Sequence, residues 1–116
     1  NSQTDKFRKI PVDVIFAEGS AEIKEEQILA LEKIVDVLRE ALWLDTIEIH
    51  GYVEEEEIKS SATLLEQREK AVRDYLIKKG FSEKNILPKS ENVRGYLQLK
   101  QEKPLRYVDV VIVNIK

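Results

Sequence analysis

The residues able to carry chemistry in this chain gather in one stretch. EIHGYVEEEEIKSSATLLEQREKAV, residues 48–72, runs an apolar strand pattern into a Gly-Tyr step, then four consecutive glutamates, then a helix-spaced segment. At about 100° per residue, Leu64, Leu65, Ala71, Val72, Tyr75 and Leu76 make one stripe, and Arg68 falls near its middle with Ser61. A guanidinium keeps its proton and is costly to bury unpaired. Arg68 must therefore meet a carboxylate, backbone carbonyls, trapped water or a ligand. The nearest carboxylates in sequence belong to Glu54–Glu57. Either the protein closes its own ion pair, or the two charges flank a cleft and grip a zwitterion, carboxylate to ammonium and guanidinium to carboxylate.

Little else in the chain offers reactivity. There is no cysteine, so disulfides and thiolate metal sites are excluded, and one histidine, His50, cannot build a histidine zinc site. His50 lies mid-strand and reads as a sheet-face residue. No serine stands beside a base in a recognisable pattern, so the chain is not expected to be an enzyme, and no metal or cofactor is implied. Glycines 19, 80 and 95 are too scattered for a phosphate loop and read as backbone punctuation. Trp43 is expected to pack at the end of the first helix.

Composition fits that picture. The 116 residues suggest one domain, and 42% hydrophobic content is enough for a core. Nineteen basic against 22 acidic residues leave a net charge of −3, with no basic run, which argues against nucleic acid as the main partner. No apolar run is long enough to span a bilayer. The start at Asn1 reads as a piece of a longer protein, and no signal peptide is evident.

Several elements must position Arg68. Residues 1–10 are polar and read as a linker, and 11–116 as the domain. Residues 10–16 alternate as a strand, AEGSAE is a turn with Gly19 at positive φ, and 25–42 has helical spacing. Residues 46–52 alternate again. A second helix is expected over 60–79, capped by Ser60 or Ser61 and ended by Gly80. A turn at 82–84, an extended piece at 86–87 and an edge strand at 93–100 lead to the strongest strand, 107–115. This order predicts a two-layer α/β (α+β) sandwich of βαβαβ type, with a mixed sheet and both helices on one face.

FAEGSAEI, the spacing of Leu31 and IVDVL, IEIHGYVE, the helix LLEQREKAVRDYLIKKG and LRYVDVVI together resemble the OmpA-like C-terminal domain, shared with MotB-type stators and peptidoglycan-associated lipoproteins. The resemblance covers about residues 12–115. It implies a non-enzymatic periplasmic domain, held to the outer membrane through its parent protein, that binds peptidoglycan. In that family an aspartate takes the ammonium of the stem peptide's diamino acid, and the helix arginine takes its carboxylate.

Carried across, the aspartate falls on Glu54 and the arginine on Arg68. Gly51 and Tyr52 fit the strand-end motif, the asparagine before the helix falls on Ser61, and Arg106 matches the first arginine of the last motif. The ligand-binding set implied is thus Glu54, Arg68, Tyr52, Ser61 and Arg106, with Glu55–Glu57 left as solvated loop. Val53, Leu65, Glu69 and Leu105 depart from the family's polar or small residues. Two outcomes are therefore open: a cell-wall anchor with a partly degenerate site, or a structural or protein-interaction domain, partnered by another envelope protein, that has lost peptidoglycan binding.

Overall fold

The computed structural model describes residues 5–40, 46–88 and 106–115. In chain order the elements are β1 (Asp5–Lys9), β2 (Val14–Ile15), α1 (Glu25–Glu40), β3 (Thr46–Gly51), α2 (Glu55–Ser60), α3 (Leu64–Lys78), β4 (Ile86–Pro88) and β5 (Tyr107–Ile115). The sheet is mixed and ordered β1-β5-β3-β4, with β2 also on β5. β3 runs antiparallel to β5, with Ile47 opposite Ile112 and His50 opposite Asp109. β4 lies parallel to β3.

Strand alternation puts Ile47, Ile49, Val108, Val110 and Ile112 on one face, where they pack in a single core with Leu31, Ile34, Val35 and Leu38 of α1 and Val72 and Leu76 of α3. Both long helices therefore cover that face, as the two-layer α+β expectation requires. α1 follows its spacing: acidic Glu25 and Glu26 sit in the first turn, Arg39 in the last. Gly19 (φ 69°) and Gly80 (φ 107°) take the left-handed conformation expected of their turns.

The structure departs from the sequence expectations in two places that matter. Asp5–Lys9, inside the segment read as linker, forms a strand antiparallel to the end of β5. Its polar sequence hid it, because pairing at a sheet edge rests on backbone bonds. Pro11 separates β1 from β2, since it has no N–H to give the ladder, and the Val12 N–H turns back to the Ile10 carbonyl at 2.7 Å. The ladder resumes where the Phe16 N–H meets the Arg106 carbonyl at 2.7 Å. On the outer side of β2, the Ile15 N–H donates to the Gln27 side-chain oxygen at 2.9 Å.

The expected second helix, 60–79, starts later, and the acidic run before it, expected as loop, is itself helical. Glu55–Ser60 is a helix of its own, Ser61 is extended (φ −148°, ψ 111°), and α3 begins at Leu64 with Thr63, not Ser60 or Ser61, before it. Ser60, Ser61 and Thr63 have side chains that compete with the helical backbone, which suits a break there. The expected edge strand at 93–100, Gly95, Trp43 and Leu105 lie outside the described residues.

Gly51, at the end of β3, is required by proximity and not by φ. A β-carbon there would stand 2.7 Å from Glu69 Cγ, 2.9 Å from its Oε2 and 3.0 Å from Leu65 Cδ1. Glu69 is buried and held, because its Oε2 accepts the Gly51 N–H at 2.8 Å. Gly51→Ala is expected to destabilise the domain by about 1–3 kcal/mol through overpacking, read as a lower urea midpoint.

Candidate functional site: a buried arginine closed by its own carboxylate

α3 aims Arg68 under the end of β3, where its side chain is 0% exposed. All five of its N–H hydrogens have an acceptor within the chain. Nε donates to the Ser20 carbonyl at 2.8 Å. Nη1 donates to the Tyr52 carbonyl at 3.1 Å and to Glu57 Oε1 at 3.0 Å. Nη2 donates to the Ala17 carbonyl at 3.2 Å and to Glu57 Oε2 at 2.6 Å. The guanidinium carbon also lies 5.4 Å from the centre of the Phe16 ring, within cation–π range. A fork-to-fork carboxylate pair with three carbonyls satisfies the donor inventory of a buried arginine.

Glu57 is satisfied as fully. Its Oε2 accepts the Gly19 N–H at 2.7 Å, and its Oε1 accepts the Glu54 N–H at 2.8 Å. Four donors from the 17–20 turn, the start of α2 and α3 thus converge on one carboxylate. Burial pushes the Glu57 pKa up, but the Arg68 bonds and the Gly19 and Glu54 amides outweigh it, and the net shift is downward.

The expectation that Glu57 is solvated loop is corrected: it is the buried member of the acidic run, at 4% exposure, and it is Arg68's partner. Glu54, expected to face Arg68, precedes α2 and lends the cluster its backbone N–H. Its side chain is about one-third exposed and lies 4.0 Å from Arg106 Nη1, which is similarly exposed. The physical reason is helical: once 55–60 coils, the third residue of the helix swings back over its own start, as in a capping box. Four identical residues in a row mark that position only through the Glu-x-x-Glu interval of a capping box.

Tyr52 joins the cluster by its carbonyl. Its buried ring stacks on Tyr107, with centroids 4.3 Å apart, and its hydroxyl donates to Asp109 Oδ2 at 3.5 Å. Burial first, and the Asp109 charge second, push the Tyr52 hydroxyl well above its ordinary pKa. Ser61 sits half-buried in the break between α2 and α3, its N–H on the Glu57 carbonyl at 2.9 Å. His50 is on the sheet face away from the helices, its Nε2 3.0 Å from Glu48 Oε1. No group of metal-ligating side chains is found among the described residues, and no described helix is long and apolar enough to cross a membrane.

The architecture is that of an α+β domain with a helix-borne arginine pocket beneath a sheet end. The model of the OmpA family matches residues 15–104, and the chain belongs to that family. No curated protein matches the sequence. Among solved structures, the OmpA-like domain of FopA1 from Francisella tularensis superposes with a TM-score of 0.68 at 18% identity, over 99% of this chain and 77% of that one. The periplasmic domain of Helicobacter pylori MotB (its residues 78–256) gives 0.72 at 14% identity, over 100% and 80%. The peptidoglycan-associated lipoprotein from Burkholderia pseudomallei gives 0.64 at 20%, over 87% and 89%. At these identities the likeness is one of fold.

Arg68→Met should cost about 3–5 kcal/mol, because it strands a buried carboxylate; chemical denaturation measures it. The pH dependence has a definite sign. With its folded pKa below the ordinary 4.5, Glu57 contributes stability that is full above that value and is lost as pH falls through the lowered one. Glu57→Gln is expected to flatten the acid limb of a plot of Tm against pH relative to the unmodified domain.

Proposed function

We propose that this domain is a non-enzymatic module of a cell-envelope protein, working in the periplasm and tied through its parent to the outer membrane, that keeps its family's scaffold while its own Glu57 fills the arginine pocket. The observation that carries this reading is the complete internal saturation of Arg68. With every guanidinium hydrogen engaged and the side chain shut from solvent, the pocket offers nothing to the carboxylate of a stem peptide. The domain then serves as a structural or protein-interaction part of the envelope, partnered by another envelope protein.

A second reading is favoured by the exposure of Glu54 and Arg106. These charges stand together at the rim of the cluster, and a peptidoglycan diamino acid approaching there would find a carboxylate for its ammonium and a guanidinium for its carboxylate. Arg68 would remain structural.

Cosedimentation with insoluble peptidoglycan separates the two. The first reading expects the unmodified domain to stay in the supernatant. The second expects it to pellet, with Glu54→Gln or Arg106→Gln weakening binding about ten-fold, the loss of one charge-assisted hydrogen bond.

A further inference from the structure

Three of the four large apolar side chains left exposed among the described residues stand where β2 packs against α1. Ile15 of β2 is 56% exposed, and its amide donates to the Gln27 side chain in the first turn of α1. Ile28 and Leu29, the next two residues of that helix, are 40% and 68% exposed. They border an open depression of about 630 Å³ that Glu25 and Glu26 also line. Leu31, Ile34, Val35 and Leu38 supply the core-facing stripe of α1, and Leu29 lies off it.

The charges at this corner differ from those on α3, where Asp74 and Glu83 lie against Lys70 and Arg73. Glu22, Glu25 and Glu26 are exposed and enter no salt bridge among the described residues. The helix dipole favours Glu25 and Glu26 in a first turn, but it accounts neither for Glu22 nor for aliphatic side chains in open water beside them.

An apolar centre with an acidic rim selects its occupant. The carboxylates repel an anionic membrane surface, and a two-fold axis would set them against their own copies. Strand addition at β2 is denied, because the outward Ile15 amide is already taken. A helix remains, since side chains a turn apart on α1 leave a groove for a partner's ridge. We propose that this corner of β2 and the first turn of α1 is the docking surface for a cationic amphipathic helix of another envelope protein. It rests on the reading of the domain as an interaction module, and gives that reading a surface and a kind of partner. Ile15, Ile28 and Leu29 supply the apolar contact, and the carboxylates set orientation and speed of association.

The test titrates a synthetic amphipathic peptide of leucine and lysine into the isotope-labelled full chain and follows its amide resonances. Saturable shifts centred on Ile15 and on 25–29 are expected. Ile28→Gln with Leu29→Gln keeps every charge and should weaken binding about ten-fold or more, as the loss of one buried leucine contact requires. Glu25→Gln with Glu26→Gln should weaken it too and reduce its salt dependence. All four side chains are exposed, so each pair should melt within about 4 °C of the unmodified chain. Absence of binding overturns the proposal. So does binding that the glutamines at 28 and 29 leave unchanged, or shifts spread evenly to Glu55 and Glu56, since either marks charge attraction alone. Flotation with phosphatidylglycerol vesicles that depended on Leu29 would make a membrane the occupant and overturn the partner helix. Pelleting with peptidoglycan would count against the interaction-module reading and leaves the outcome of the peptide titration independent.

Discussion

A guanidinium shut away from water must find five acceptors and a negative charge, and the placement of several segments here answers that demand. The 17–20 turn comes close enough to give two carbonyls and one amide, β3 ends where the Tyr52 carbonyl reaches Nη1, and residues 55–60 coil so that Glu57 reaches both terminal nitrogens. Unpaired, such a charge would be among the most destabilising features a small domain can hold. Paired and fully hydrogen-bonded, it fastens a turn, a strand end and two helices at one point. Buried ion pairs of this kind are modest contributors to net stability, but losing one partner is severe.

The same crowding explains the residues around it. Glu69, one position after Arg68, is also buried and uses one oxygen on the Gly51 amide. Gly51 must stay small because that carboxylate lies where a β-carbon would go. Tyr52, Tyr107 and Asp109 lock the other side of the strand end through a stacked pair and a hydroxyl contact. The strand end is thus held from both faces of the sheet.

Much of the fold was legible in the sequence because periodicity reports burial. The alternation of 46–52 and 107–115 and the helical stripes of 25–42 and 64–76 each named the face that packs, and the inward position of Arg68 followed from the same wheel. Two things were not legible. Asp5–Lys9 carries no apolar alternation that would mark a strand, since its ladder with β5 is made of backbone groups. The choice of Glu57 over Glu54 depended on a helix starting within the acidic run, and identical neighbours carry no phase. The Glu-x-x-Glu interval from 54 to 57 was the one available hint, because a carboxylate three residues into a helix commonly reaches back to its start.

At the sheet edge that leads into the 17–20 turn, the amide of Ile15 points outward and is taken by the Gln27 carboxamide. That one side-chain oxygen stands in for the neighbouring strand that the outward amide would otherwise recruit, and unpaired rungs of this sort are where polypeptides add to one another. The first turn of α1 thereby covers an outward backbone donor at the edge of its own sheet.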